Sequence, residues 1–296
     1  MVKKYLSLVK FSHTIFALPF AFIGFFMGLY FVAQPQSATM VEVLLQKQML
    51  QLFFLVLLCM VTARSAAMAF NRYLDRSFDA KNPRTAIREI PSGVIAASSA
   101  LRFVILNAVI FIAATYYINP ICFYLSPVAL FVILFYSYTK RFTALCHMVL
   151  GLGLSLAPIG AYLAVTGTFA ILPILFSCVV ICWVSGFDII YAMQDVDFDA
   201  SQNLHSIPTY LGKVNALKLS VLLHVVAVAL VIVAGVLAGY GYFYWEGALV
   251  FIGMLYYQHS IVSPTNLTKV NIAFMTANGI ASVIFGIHVL VALFLK

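Results

Sequence analysis

The chain has 296 residues, 64% of them hydrophobic and only 9% charged, with a mean hydropathy of +1.05. Those values exclude a soluble globular domain and leave room for roughly eight to ten membrane spans of about 20 residues each. The net charge of +8 resembles a nucleic-acid signal until its placement is followed.

The first 13 residues are too short for a transit peptide, and the apolar stretch behind them has no small-residue cleavage site, so it reads as a first span. Apolar windows then predict about nine helices, near 14–33, 50–72, 99–118, 120–138, 145–165, 169–193, 216–239, 244–263 and 272–295. The expectation is one all-α, polytopic membrane bundle covering residues 1–296, with acidic helix ends capping a central cavity. Connections at Asn119-Pro120, Thr166-Gly167 and Gly239–Gly241 are minimal, which implies antiparallel neighbours. Cys59, Cys122, Cys146, Cys178 and Cys182 lie in or beside apolar runs without metal-ligand spacing and read as small hydrophobes.

Basic residues alternate by side. Lys3, Lys4 and Lys10 precede the first helix; Arg72, Arg76, Lys81, Arg84, Arg88 and Arg102 fall around the second connection; Lys140, Arg141, Lys213, Lys218 and Lys269 follow later even-numbered helices. The other side receives only Lys47 and Lys296. This positive-inside asymmetry predicts a cytoplasmic N-terminus and an outer C-terminus, and it removes the need for a nucleic-acid partner; the membrane expected is a bacterial inner one.

Two connections, 73–98 and 194–215, are long and polar, and both lie on the predicted cytoplasmic side. They or their edges carry six of the nine acidic residues: Asp75, Asp79, Glu89, Asp195, Asp197 and Asp199. In NRYLDRSFD, Asn71, Asp75 and Asp79 are spaced i, i+4, i+8. If the helix continues past the membrane edge, they share a face over about 12 Å. In GFDIIYAMQDVDFD, Tyr191, Asp195 and Asp199 repeat that spacing. Carboxylates at a helix C-terminal end oppose the macrodipole and require a cation. Oxygen-only donors suit Mg²⁺, which takes one or two carboxylates and fills its remaining positions with water and substrate phosphates. Asn71, Asp75, Asp79, Asp195 and Asp199 are therefore the candidate metal ligands, holding two Mg²⁺ ions across a diphosphate. The plain alternative is a set of salt bridges to Arg72, Arg76 and Arg88. Arg84, Arg88 and Lys140 fit phosphate contacts, although each alone also fits a topology or headgroup role.

Two charges lie deeper, Arg64 and Asp188, each seven residues before an acidic motif. Either they pair with each other or they point into the bundle, Arg64 then holding an anionic acceptor. The histidines, His147 among them, are scattered without ligand spacing, and the aromatic excess is mostly lipid-facing surface and core.

NRYLDRSFD, NPRTAIREIPSG, YSYTKRFT and GFDIIYAMQDVDFDASQNLHSIPTYLG together resemble the UbiA superfamily of intramembrane aromatic prenyltransferases over essentially the whole chain. The likeness is greatest to enzymes that prenylate 4-hydroxybenzoate and to related enzymes of menaquinone routes. It implies that both acidic motifs bind diphosphate through Mg²⁺, that Tyr136 and Lys140 form a Tyr-x-x-x-Lys element beside it, and that Arg84 and Arg88 form a basic loop. The allylic C–O bond then ionises and an electron-rich ring attacks the cation. On that reading Asp75, Asp195, Lys140 and Tyr136 are the candidate catalytic residues, and Lys10, Arg64, Arg84, Arg88 and Asp188 the candidate substrate-binding ones. The implied partners are a polyprenyl diphosphate, an aromatic acid and the bilayer. Arg72 stands where many members have Asp, and KFSHTIFALPF looks more like the menaquinone-linked branch, so the acceptor is either 4-hydroxybenzoate-like or naphthoate-type. A transporter of divalent cations or organic anions is the alternative from another class, and it would place its acids near the midplane on broken helices. A phosphatidyltransferase-type enzyme would need D-x-x-D-G-x-x-A-R, which NRYLDRSFD does not continue into.

Overall fold

The computed structural model describes residues 2–9, 17–36 and 38–296. It is all-helical apart from turns and a single isolated bridge between Ser263 and Asn266. In chain order the helices are α1 (Val2–Leu8), α2 (Leu18–Ala33), α3 (Met40–Leu44), α4 (Lys47–Leu74), α5 (Arg76–Lys81), α6 (Ala97–Ile118) and α7 (Pro120–Thr139). There follow α8 (Cys146–Thr166), α9 (Ile171–Ala192), α10 (Val196–Ser201), α11 (Ile207–Ala238), α12 (Tyr242–Ile261) and α13 (Asn278–Phe294), the last preceded by a π-helical turn at Ile272–Ala277.

Among the described residues, seven helices are long and apolar enough to cross a membrane, so the protein is an integral membrane protein. Two of the predicted spans fall short of that measure. The described part of α2 is 16 residues, about 24 Å of helix, and α12 is diluted by Glu246, Gln258, His259 and Ser260. Exposed Phe31, Phe54, Val109, Tyr116, Val236 and Leu249 coat the outside with apolar surface suited to lipid.

Local signals set the helix ends. Asn119 caps α7 by accepting from the Cys122 N–H at 2.9 Å, with Pro120 at the first helical position, and its amide donates to the Leu163 carbonyl of α8 at 2.9 Å. Ser206 and Thr209 form a capping box that starts α11 at Ile207, earlier than the apolar pattern predicts. Gly212 (φ 75°, ψ 160°) then breaks that helix with a backbone shape that only glycine adopts freely, so the predicted start near 216 marks the segment beyond the kink.

Lipid tails are as apolar as leucine, so the bundle is held by close packing and by interhelical hydrogen bonds. Helix α9 is the centre, packed on α8 and α11, while α2 lies on α8, α4 on α6, and α12 on α13. At Gly24 a Cβ would stand 2.0 Å from the Pro158 carbonyl oxygen, so α2 and α8 touch backbone to backbone. Trp183 is fully buried among Phe20, Phe187 and Phe251, and its Nε1 donates to Asn278 Oδ1 at 2.9 Å, which also accepts from Gln258 Nε2 at 2.7 Å. That arrangement fixes α9, and α9 carries the second acidic motif.

Candidate active site

Both acidic motifs sit at helix joints. Helix α4 stops at Leu74, Asp75 takes φ −87° and ψ 4°, and α5 resumes at Arg76. The i to i−4 rhythm survives the joint, because the Asp75 N–H donates to Asn71 O at 2.9 Å and the Asp79 N–H to Asp75 O at 2.7 Å. At the second motif α9 gives way to a 3₁₀ turn, Met193–Asp195, and then α10, with Asp195 at φ −104° and ψ 6°. The continuous helix expected from the spacing is therefore broken at the middle acid of each motif. The middle acid is the hinge, and the three positions of each set still face one space.

That space is a polar cavity of about 210 Å³, lined by Asn71, Asp75, Asp79, Asp195 and Asp199 together with Arg84, Arg88, Tyr136, Lys140 and Asp188. Below it is a mainly apolar cavity of about 1060 Å³, at the upper end of the ~300–1000 Å³ usual for small-molecule sites. The two share Asn71, Arg84, Arg88, Tyr136, Asp188 and Tyr191 as walls. The structure thus brings all the sequence-predicted site residues to the two cavities except Lys10, which lies outside the described residues. Arg64 lines the large cavity only.

Each acid of the motifs has a cation. Arg84 holds Asp195 with two nitrogens, at 3.1 and 2.5 Å, and reaches the Tyr191 hydroxyl at 3.0 Å. Arg88 grips both Asp79 oxygens at 2.7 and 2.9 Å. Lys140 meets Asp199 at 2.7 Å, and Arg141 meets Asp75 at 3.0 Å. Salt bridges were foreseen, but of the partners Arg72, Arg76 and Arg88 only Arg88 takes that part. Arg76 is exposed and donates to the Tyr73 carbonyl, and Arg72 is buried with its Nη1 unpartnered in the wall of the large cavity.

Burial pushes the Asp75 carboxyl above its ordinary range, against the opposing pull of Arg141. At Lys140 burial favours the neutral amine, but Asp199 outweighs it and the ammonium is held more tightly than usual. Among the described residues no three His, Cys, Asp or Glu side chains gather into a closed metal cage. The donor chemistry nevertheless fits Mg²⁺: every candidate donor is an oxygen, the carboxylates line one cavity, and Asp75 is a desolvated carboxyl that an additional positive charge would stabilise.

The deep charges do not pair with each other. Asp188 Oδ2 is 2.6 Å from His147 Nδ1, and the Arg64 Nε has no partner. His147 and Arg141 were passed over in the sequence because their partners lie 41 and 66 residues away. Asn82 was missed too: it accepts from the Arg84 N–H at 3.0 Å and points its amide at Asp195, 3.4 Å away. Its place in NPRTAIREIP, between the acidic motif and the two arginines, is the one local signal for it. The cavity aromatics that sequence could not single out include Phe111, Phe169, Phe187 and Phe274, the last presented by the π-helical turn.

Comparison with known proteins agrees with this architecture. The UbiA prenyltransferase family matches residues 17–280. A 4-hydroxybenzoate octaprenyltransferase of Shewanella halifaxensis is 29% identical over 236 residues, covering 80% of this chain and 82% of that protein. One from Shewanella piezotolerans is 32% identical over 202 residues, covering 68% and 70%. Among solved structures, the apo form of a UbiA homolog from Aeropyrum pernix superposes with a TM-score of 0.80 at 29% identity, covering 94% of this chain and 97% of that one. A UbiA homolog from Archaeoglobus fulgidus bound to GPP and Mg²⁺ gives a TM-score of 0.75 at 21% identity over 98% and 99%, a likeness of fold. With the family match running from α2 into α13, this chain belongs to the UbiA prenyltransferase family.

Proposed function

We propose that this protein transfers a polyprenyl group from a polyprenyl diphosphate to a hydroxyaromatic acid of the 4-hydroxybenzoate kind, as a step of quinone biosynthesis. The observation that carries the reading is the pair of cavities. A cavity lined by Asp75, Asp79, Asp188, Asp195 and Asp199 and by Arg84, Arg88 and Lys140, suited to a charged head, shares a wall with one large enough for a prenyl tail and a ring. Relatives named 4-hydroxybenzoate octaprenyltransferase, and the Archaeoglobus fulgidus homolog solved with GPP and Mg²⁺, support the same choice. A transporter would gather its charges at the midplane, whereas here they collect at one end of the bundle.

Asn71, Asp75, Asp79, Asp195 and Asp199 would hold two Mg²⁺ ions, which supply positive charge for the leaving diphosphate. Arg84, Arg88 and Lys140 line the same cavity and offer phosphate oxygens charge-assisted hydrogen bonds. Tyr136, in the wall common to both cavities, stands where head and tail of the donor meet. Phe187 and Phe274 line the large cavity, where aromatic rings can stabilise an allylic cation, and the apolar walls keep water from capturing it. Arg64, unpartnered at Nε, is the group for the acceptor's carboxylate.

The protein acts as a single unit of residues 1–296, with α2 and α12 completing nine spans. The uneven distribution of its basic residues supports an N-terminus and active-site joints on the cytoplasmic face and an outer C-terminus, and its bacterial relatives support a bacterial inner membrane. Membranes containing the protein, given a labelled polyprenyl diphosphate and Mg²⁺ with 4-hydroxybenzoate or a hydroxynaphthoate, test the reading. Prenylated acid that disappears on chelation is the expected result, and the acceptor that works identifies the route. No product and no metal-dependent diphosphate release would overturn it.

A further inference from the structure

The acids of the two motifs are all committed to cations at the diphosphate end, so none of them is free to serve the aromatic ring. Ring prenylation nevertheless leaves a proton to be removed. Asp188 is placed for it. It stands on α9 seven residues before Asp195, and it lines both the polar and the apolar cavity. An aspartate inside a span is costly unless held by a partner, and its partner is His147 from the first turn of α8, at 2.6 Å.

The pair is asymmetric. His147 is 3% exposed, whereas the Asp188 side chain keeps 23%. The carboxylate has no proton to give, so Nδ1–H is the donor and Asp188 Oδ2 the acceptor. Among the described residues His147 Nε2 has no hydrogen-bond partner, and Nδ1 is held by Asp188. A pair serving stability alone would enclose both groups. Here the imidazole is enclosed and the carboxylate is presented.

Resting on the prenyl-transfer reading, we infer that Asp188 is the proton acceptor of the substitution step and that His147 is the positioning residue that turns its carboxylate toward the acceptor ring. When the donor's C–O bond breaks, its electron pair leaves with the diphosphate. A ring π pair forms the new C–C bond, giving an arenium ion. Its C–H proton passes to Asp188, and the C–H electron pair restores the aromatic ring. The arenium ion is a strong acid, so a carboxylate suffices if it is correctly aimed, and aim is what His147 supplies. The proton leaves through the polar cavity when product departs.

The test uses the full-length protein with geranyl diphosphate, Mg²⁺ and 4-hydroxybenzoate, with and without deuterium at the ring positions that react. Prenylation and acceptor-free diphosphate release are followed side by side. Asp188→Asn is expected to lose about 100-fold or more in prenylation kcat, with release falling far less. His147→Leu is expected to lose about tenfold or more in kcat, with the acceptor KM changing less, and His147→Asn, which restores a donor near Nδ1, to recover part of the loss. Both impaired variants should show a primary isotope effect larger than that of the unaltered protein, because proton loss has become slow. Release that falls in step with prenylation, or an isotope effect that does not grow, would overturn the dyad and leave the prenyl-transfer reading standing. An unaltered protein without metal-dependent release would overturn that reading and the dyad with it.

Discussion

Asp75 and Asp195 both interrupt their helices, 120 residues apart, yet the first break keeps the i to i−4 bonds, the second passes through a 3₁₀ turn, and the helices that deliver them differ. Helix α9 has 12 of its 22 residues buried and forms the centre of the bundle, locked through Trp183 to Asn278. Helix α4 has 6 of its 28 buried and forms one wall of the large cavity. The residue one turn before each middle acid differs too: Asn71 donates its amide to Asp75 at 3.1 Å, whereas Tyr191 uses its hydroxyl to receive Arg84. One spacing rule therefore serves a rigid joint and a joint at the cavity's edge. Arg84 belongs to the connection behind the first joint but binds the acid of the second. The halves are coupled through that guanidinium.

The largest effects should come from the joints themselves. Asp195→Ala and Asp75→Ala are each expected to lower turnover by roughly a thousandfold or more, with the bundle still folded in detergent, and chelation should do the same to the unaltered protein. Normal activity in either variant would remove that acid from the metal clamp. If the joints were independent, Arg84→Ala would impair donor handling about as much as any one phosphate contact. Because it spans them, the expected result is a rise of about 10- to 100-fold in KM for the diphosphate, together with a loss smaller than additive when it is combined with Asp195→Ala. Strict additivity would separate the two halves.

Arg64→Met separates the cavities instead of the joints. The acceptor KM should rise about tenfold or more, while acceptor-free diphosphate release stays near that of the unaltered protein. A parallel loss of release would move Arg64 from the acceptor's end to the donor's.

The fold and the acids were legible because a membrane makes them so. Charges in a chain this apolar stand out, and their placement by side predicts a topology before any contact is known. What stayed hidden was pairing. Nothing near Arg141 distinguishes it from a residue that merely anchors the chain, since its partner Asp75 is 66 residues away. His147 sits in an apolar run and becomes intelligible only beside Asp188. Arg64 and Asp188 look like partners because each precedes its motif by seven residues, but equal depth is not contact. The joints at Asp75 and Asp195 escaped for another reason. The i, i+4, i+8 spacing is what a continuous helix produces, and neither the break at Asp75, which keeps the hydrogen-bond rhythm, nor the single 3₁₀ turn before Val196 changes that pattern.

The smallest effect concerns the first position of each set. Tyr191→Phe removes one charge-assisted bond from Arg84, which keeps both contacts to Asp195 and its place over the ring and is 36% exposed, so turnover should fall only about two- to tenfold. Asn71→Ala removes a candidate metal oxygen and the bond that steadies Asp75, and should cost more. The inequality follows from the difference between the joints: at the rigid one the first position only supports an arginine already held elsewhere, while at the cavity's edge it holds the acid itself. Measured turnover for the two variants at saturating Mg²⁺ decides it. A loss in Tyr191→Phe equal to that in Asn71→Ala would mean that Tyr191 contacts the substrate directly, and that the two motifs are alike in function as well as in spacing.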